Sequence, residues 1–521
     1  MLRRKPMTCP KFALSLVLGP VLLTAVLTMA AGSALGQQST EDISVDAHAA
    51  GKPFPHFWEE MFGSGRANLA MRDNFRKDLR LVKGVTDFQY VRFHAILDDE
   101  NGVYSEDAQG HAVYDWSYVD QIYDGLLENG IRPFVEISFM PKALAAIPKT
   151  HAFWYKPYPS PPNDYAKWDA LITAFAQHLI ERYGIEEVSQ WYFEVWNEPN
   201  IDFWIGRPAQ STYFELYDHT ARALKAVSER LRVGGPATAQ AAWVGDLIAH
   251  TTQNNVPLDF VSTHVYGNDT SMDVFHDNRK VAPHQMVCAA VDKVHDEIVH
   301  SARPEIPLIW SEFNATYMNE QSITDSIYMG PWMADTISKC DGKTLIMSYW
   351  SFSDVFEEQG VLRTPFYGGY GLVAEDDIPK PAYDVFAVLH ELGDERLPAP
   401  TDEALVTRRA DGTLVIAAWN LVEPGASGSE KSVTFDLKGV ADGTYAQIRR
   451  VDADHGDTLD AWKQMGSPKY PTQAQIAALR KVTEMGSPES AAIRGHKLTV
   501  TLPPMGLAVI EIPRNSFPPS R

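Results

Sequence analysis

The sequence predicts an α/β chain, a parallel (β/α)8 barrel with a C-terminal β-sandwich domain. Three observations predict it. Between residues 57 and 395 short apolar runs alternate with amphipathic stretches, the rhythm of strand–helix units around a parallel sheet. Several of the runs lack polar alternation, as strands buried on both faces do. After Leu397 the helical rhythm stops, and short strands separated by turns take over.

The eight candidate strands are 57–62, 88–93, 133–139, 190–196, 233–237, 260–265, 308–311 and 345–349. Helical patterns between them include 165–183, 212–231, 284–300 and 326–339, with Gly130 and Gly184 where a helix C-terminus is capped. The alternation alone also fits a doubly wound open sheet. Pro398-Ala399-Pro400 reads as a linker between a barrel over 37–397 and a sandwich over 398–521. Strands are expected there at 414–419, 432–437, 445–451, 497–502 and 507–512, with turns at Asp411-Gly412 and Asp442-Gly443. Residues 471–485 read as a helical insertion, and 43–47 as a strand completing the sandwich.

Hydrophobic residues make up 45% and charged residues 22% of the 521 positions, enough apolar material for a sizeable core. The formal net charge of −21 repels phosphate backbones, which argues against nucleic acid as a partner, whereas neutral sugars are indifferent to it. At the N-terminus Arg3, Arg4, Lys5 and Lys11 precede an apolar run over 12–31 and the small residues Ser33-Ala34-Leu35-Gly36. That order is a secretory signal over 1–36, which predicts a secreted or periplasmic protein with no stable membrane association after cleavage. An uncleaved anchor is the alternative, since the apolar run is about long enough to span a bilayer. Removing the four positive charges takes the net charge from −21 to −25. Cys288 and Cys340 then remain, either paired after export or as buried thiols.

The most informative segment is Trp191-Tyr192-Phe193-Glu194-Val195-Trp196-Asn197-Glu198-Pro199-Asn200. An apolar strand ends abruptly in Asn-Glu-Pro, which sets the Glu198 carboxylate at the C-terminal edge of the barrel, where such folds build their sites. Pro199 stops further ladder pairing, and Asn197 supplies an uncharged amide beside the acid. The run Leu308-Ile309-Trp310-Ser311-Glu312 ends in the same way. Carboxylates on the fourth and seventh strands can flank a glycosidic bond, with retention or inversion decided by their separation. Tyr266, at the end of the sixth strand, is placed to donate a hydrogen bond to Glu312. Arg92, at the end of the second, is placed to lower the Glu312 pKa by charge. His94 lies two residues on, on the same strand face as Arg92. Trp350 offers an aromatic floor, and Glu357 and Glu358 offer hydroxyl acceptors; a hydrated acidic loop explains that pair equally well. No His-Glu-x-x-His or Cys-x-x-Cys spacing marks a metal site, Gly63-Ser64-Gly65 lacks the third glycine of a dinucleotide fingerprint, and no Gly-x-Ser-x-Gly elbow occurs.

Together, Trp196-Asn197-Glu198-Pro199-Asn200, Ser311-Glu312-Phe313-Asn314 and the segment from Phe352 to Gly360 resemble glycoside hydrolase family 39, on its bacterial β-xylosidase branch. Arg92-Phe93-His94, 131–141 and Ile378-Pro379-Lys380-Pro381 extend the resemblance over about residues 50 to 510. The resemblance implies a retaining double displacement without cofactor, Glu198 as acid/base, Glu312 as nucleophile and Asn197 on the sugar 2-hydroxyl. It also implies a glycone site built from His94, Phe139, Phe203, His264, Tyr266, Trp350, Glu357 and Glu358. The expected activity is exo-acting β-xylosidase on xylo-oligosaccharides. The same mechanism on α-L-arabinosyl, β-glucosyl or β-galactosyl substrates is one alternative, and a barrel that binds carbohydrate without turnover is another. Homo-oligomerisation is left open. Ser138 and Phe93 stand where the family pattern has glycine, and are expected to alter the pocket's shape. Asn268-Asp269-Thr270 and Asn314-Ala315-Thr316 are glycosylation sequons, the second too close to Glu312 to carry a glycan.

Overall fold

Eight parallel strands close into a barrel in a computed structural model that describes residues 39–514. The export signal expected over 1–36 lies outside those residues. The strands are β1 (Met61–Arg66), β2 (Tyr90–His94), β3 (Arg132–Ile137), β4 (Tyr192–Val195), β5 (Arg232–Thr238), β6 (Phe260–Tyr266), β7 (Leu308–Asn314) and β8 (Ile346–Tyr349). Each is followed by a helix: α1 (Asp73–Lys83), α2 (Ser117–Leu127), α3 (Tyr165–Tyr183), α4 (Ala209–Val227), α5 (Val244–Asn254), α6 (Pro283–Val299), α7 (Met329–Cys340) and α8 (Pro381–Leu389). Tyr349 of β8 pairs with Phe62 of β1, which closes the barrel and removes the open-sheet alternative. β1 begins later than its apolar run predicts. Phe57 and Trp58 are fully buried in a turn ahead of the strand, so hydrophobicity there reflects burial and not pairing.

The barrel interior is layered. Met61, Tyr90, Phe134, Tyr192, Phe260, Ile309 and Ile346 form one apolar cluster, each from a different strand. Two residues on, the period-2 alternation of a strand brings Arg92, Glu136, Glu194, Ser262, Ser311 and Ser348 inward, all buried. β5 places glycine at this level, because a Cβ on Gly234 would lie 2.4 Å from the Phe260 carbonyl oxygen. Outside the strands, Cys288 of α6 and Cys340 of α7 form a disulfide, which settles the open pairing question.

The sandwich draws on both ends of the described chain. Ser39–Asp46 pairs in parallel with Lys431–Lys438, which pairs with Lys497–Leu502. The larger sheet runs in the order Lys52–Pro53, Glu395–Arg396, Ala404–Arg408, Leu414–Trp419, Leu507–Ile512, Tyr445–Val451 and Glu489–Ala492. Leu414, Ile416 and Ala418 face the sandwich core, while Val415, Ala417 and Trp419 join the core shared with the barrel helices. Both faces of that strand are buried, and its sequence accordingly shows no polar alternation. The segment over 398–400 therefore joins two packed bodies and does not act as a free tether. Gly412 and Gly443, with φ of +89° and +80°, make the turns expected at those positions. The insertion forms helix Gln473–Val482, started by a Thr472–Gln475 capping box.

Candidate active site

Glu198 stands just past the end of β4, where the chain turns with positive φ at both Trp196 and Glu198. Its amide donates to the Ala237 carbonyl of β5 at 2.8 Å, and the Tyr213 hydroxyl anchors the Val195 carbonyl at 2.9 Å. The backbone holding the carboxylate is thus tied to β5 and α4, and the residue is only 8% exposed.

Glu312 reaches the same space by a different device. Ile309 faces the interior, so simple alternation would aim Ser311 inward and Glu312 out toward the helices. The pairing with β6 skips one residue: Thr263 pairs with Trp310, and His264 with Glu312. Ser311 is the extra residue of a β-bulge, and the bulge turns Glu312 into the barrel mouth. One carboxylate oxygen of Glu312, one of Glu198 and a ring nitrogen of His264 all lie within 4.8 Å of one another.

A buried charge network supports this pair. Arg92 donates from Nε to Glu194 at 2.6 Å, from Nη1 to Glu312 at 2.6 Å and from Nη2 to Asn197 Oδ1 at 2.9 Å, and it also pairs with Glu136 at 2.9 Å. The Tyr266 hydroxyl donates to the second Glu312 oxygen at 2.6 Å. His94 meets Glu136 through Nδ1 at 2.7 Å and lies 3.5 Å from Glu358 through Nε2. His264 bridges Glu198 through Nδ1 at 3.0 Å and Ser311 Oγ through Nε2 at 3.1 Å.

These contacts separate the two acids. Burial raises Glu198 well above the usual glutamate range, and the nearby charges of Glu312 and Asp269 add to it. Burial also raises Glu312, but Arg92 lowers it by charge as expected, and His94 and the Tyr266 hydroxyl pull it back further. The proton therefore sits by preference on Glu198. Burial lowers His264 far below the usual imidazole value, with Arg92 and His94 adding to the effect, so it is neutral. At His94 burial acts downward, yet the Glu136 carboxylate raises the pKa overall. Burial pushes Glu358 up to about 8.

The cavity between these groups holds about 310 Å3 and is walled by Glu198, Glu312, Asn197, His94, Trp350 and Glu358, with Phe203 and Tyr266 beside them. Such a volume lies at the small end of the ~300–1,000 Å3 range of ligand pockets. Gly63 lets the Trp350 indole lie across the mouth, since a Cβ there would come within 2.0 Å of the ring. Three of the expected residues sit elsewhere. Phe139 packs behind the wall on Trp196 and Phe203. His264 lies beneath Glu198 as its support. Glu357 points away from the cavity into a clamp of Arg72 at 2.6 and 2.8 Å and Arg66 at 3.3 Å, which holds its pKa below the usual value against the upward effect of burial. Nor do the two departures from the glycine pattern reshape the pocket. Phe93 stacks outward on Tyr123 of α2, and Ser138 bonds Glu136 and the Ala95 amide below the wall. Asn314 is fully buried and donates to the Trp350 carbonyl, so its sequon has no room for a glycan.

Sequence reasoning passed over Glu136 and Glu194, the acids that hold Arg92. The signal was present, since each is a lone carboxylate inside an otherwise apolar strand and the two are paired in register. It also passed over the far wall, where Phe153, Gln240, Asp269, Tyr317 and Tyr370 stand on loops without pattern. The loop after β3 meets the loop after β8 where the Trp154 amide donates to the Glu358 carbonyl at 2.8 Å. The β8 loop is pinned in turn by buried Lys380, which lies 2.7 Å from both Asp325 and Asp354. Together the two loops close one side of the cavity, making it a pocket.

Comparison with known proteins agrees with this geometry. The model of the family "Glycosyl hydrolases family 39" matches residues 41–497. A beta-xylosidase from Geobacillus stearothermophilus is 37% identical over 436 residues, covering 82% of this chain and 86% of its own. The crystal structure of a monomeric beta-xylosidase from Caulobacter crescentus CB15 aligns with a TM-score of 0.82 at 34% identity, covering 91% of this chain and 99% of that one. The GH39 enzyme from Xanthomonas axonopodis pv. citri aligns with a TM-score of 0.83 at 32% identity, covering 92% and 99%.

Proposed function

We propose, because the chain belongs to glycosyl hydrolases family 39 and is a glycoside hydrolase, that it is a retaining β-xylosidase releasing xylose from the non-reducing ends of xylo-oligosaccharides. The observation that carries retention is the approach of Glu198 and Glu312 oxygens to within 4.8 Å. Retaining pairs stand about 5–5.5 Å apart, whereas an inverting pair needs roughly 6.5–9.5 Å to admit water between them. Glu198, the acid that keeps its proton, delivers it to the leaving oxygen. Glu312 attacks the anomeric carbon, and Arg92 and Tyr266 hold it in line while burial strengthens both contacts. Once the aglycone leaves, Glu198 is ionised and draws a proton from water, which attacks the glycosyl–Glu312 ester and restores both groups. His264 keeps Glu198 oriented throughout.

Exo action is supported by the loops that close one side of the cavity, leaving room for a terminal sugar and no groove for a chain running through. The xylose reading is supported by the named activity of the Geobacillus and Caulobacter relatives. The N-terminal pattern supports export to the periplasm or medium, which N-terminal sequencing of the mature protein checks. Hydrolysis of an aryl β-xyloside and of xylobiose is the direct test of substrate, and inertness toward both overturns it. For the mechanism, Glu198→Ala should accumulate a glycosyl-enzyme from an activated aryl xyloside and be accelerated by azide, giving the β-azide product. Absence of both effects removes Glu198 from the acid/base role.

A further inference from the structure

On the opposite side of the barrel from the cavity, the turn leading into β1 and the end of α8 bring two histidines onto one buried carboxylate. His56 Nδ1 lies 2.6 Å from Glu59 Oε1, and His390 Nδ1 lies 2.9 Å and 3.0 Å from the two Glu59 oxygens. One ligand atom from each residue lies within 4.8 Å of both others. Glu59 is fully buried, and no lysine or arginine pairs with it among the described residues. Burial raises its pKa, but the two histidines bring it below the usual range. A buried ionised carboxylate is stable only beside a positive charge. Here the charge has two sources, a proton on an imidazole or a cation held by all three residues.

The ligand set also suits the cation. His56 and Glu59 come from one tight turn, in which the Glu59 amide bonds the His56 carbonyl at 3.3 Å. The His56 ring is held against buried Trp58, with centroids 4.4 Å apart. Its Nε2 is buried without a hydrogen-bond partner, so Nδ1 is its only polar anchor. Two of the three ligands are thus brought together on one turn before anything binds. His390, 42% exposed, supplies the third and leaves a solvent-facing position open. Asp87 and Glu391 add negative potential at His390, although Glu391 is itself paired with Arg409.

We propose that His56, Glu59 and His390 form a divalent transition-metal site, of the Zn2+ or Ni2+ class, that ties the start of the barrel to its last helix. Two imidazoles and one carboxylate suit such ions and not Mg2+ or Ca2+, which take oxygen ligands. Zn–N and Zn–O bonds of about 2.0–2.1 Å put neighbouring ligand atoms about 3.3 Å apart. The present spacings are shorter, 2.6 Å from His56 and 2.9 Å from His390 to Glu59, so metal entry requires both imidazoles to draw back from the carboxylate. Water completes the coordination at the exposed side. This role is separate from glycoside hydrolysis, whose groups lie at the other end of the strands.

The full-length protein, stripped with chelator and exchanged into buffer, should bind one equivalent of Zn2+ in calorimetry with a dissociation constant in the micromolar range or tighter. Its melting temperature should rise with ZnCl2 and stay unmoved by MgCl2. His390→Ala, at a part-exposed position, should weaken binding at least tenfold and abolish the thermal gain while leaving aryl-xyloside hydrolysis unchanged. Glu59→Gln should do the same if it folds. The proposal is overturned if wild type and His390→Ala respond to Zn2+ alike. It is equally overturned if the wild-type melting temperature ignores the metal and only falls as pH rises past imidazole deprotonation, for then a proton is the counter-charge.

Discussion

At the floor of the barrel, Met61, Tyr90, Phe134, Tyr192, Phe260, Ile309 and Ile346 fill the space between strands with apolar surface. One layer further along the same strands the interior holds Arg92, Glu136 and Glu194, and beyond them His94, His264, Glu198 and Glu312, all buried. The floor is stabilised by removal from water, a non-directional effect that tolerates change in shape better than in volume. The mouth gains little in that way. Its charges lose hydration on folding, and only their mutual hydrogen bonds offset the loss. Stability and chemistry are thus separated along one axis, which makes their separation measurable.

The largest expected effect breaks the two ends apart. Glu312→Gln should lower kcat/KM by on the order of 10^4-fold or more, as removal of a nucleophile does, without lowering the melting temperature at neutral pH. The sign follows from linkage. The Glu312 pKa is raised in the folded state, so its ionisation destabilises the fold as pH rises from the unfolded value of about 4.3 toward the folded one. The amide escapes that loss. Phe134→Ala, at a fully buried floor position, should do the reverse. It should cost about 3–5 kcal/mol in urea unfolding and leave kcat per folded molecule within a small factor of wild type. Equal effects of the two variants on activity and stability would show that the layers are not independent.

Arg92→Met sharpens the comparison, because Arg92 serves both ends of the argument. It touches Glu136, Glu194 and Glu312 with no exposure of its own. Removing it leaves three buried carboxylates without their guanidinium, which should cost about 3–5 kcal/mol at pH 7. The cost should shrink toward pH 4, where Glu136 and Glu312, no longer held down by the guanidinium, take up protons. A cost that does not depend on pH would mean that lost packing, and not charge, is the cause.

The floor was the more legible end. Short apolar runs marked all eight strands, several of them without polar alternation, and seven of the strands put an apolar side chain into the floor cluster. Both Glu198 and Glu312 were found from the abrupt end of such a run. Their orientation was not, because the bulge at Ser311 leaves no mark in composition, and plain alternation aims Glu312 the wrong way. Glu357 and Glu358 illustrate the same limit. Adjacent and chemically identical in sequence, they were read as a pair of sugar ligands, yet a positive φ at Glu357 sends it to Arg66 and Arg72 while Glu358 faces the pocket. The far wall, with Asp269 and Tyr317, comes from loops whose side chains meet only once the barrel has closed. The His56–Glu59–His390 cluster joins residues more than three hundred positions apart, and no local spacing announces it.

Asp269 provides the finest test of how the mouth sets its own chemistry. It lines the cavity, accepts the Tyr266 amide at 2.8 Å, and is itself pushed up to about 6 by burial. Its negative charge is among the influences that raise Glu198, behind burial and Glu312. Glu198 acts while protonated, so activity falls on the alkaline side as it ionises. Asp269→Asn keeps an acceptor for the Tyr266 amide and removes the charge. The alkaline limb of kcat/KM should therefore move to lower pH, while the acid limb, which reports ionisation of Glu312, stays nearly in place. At the pH optimum the rate should change by less than about threefold, some 0.6 kcal/mol of barrier. A uniform drop with both limbs unmoved would make Asp269 a scaffold for Tyr266 alone, and would leave burial and Glu312 as the whole cause of the Glu198 proton. No floor substitution should move either limb, because the apolar layer carries no charge that the acids can feel.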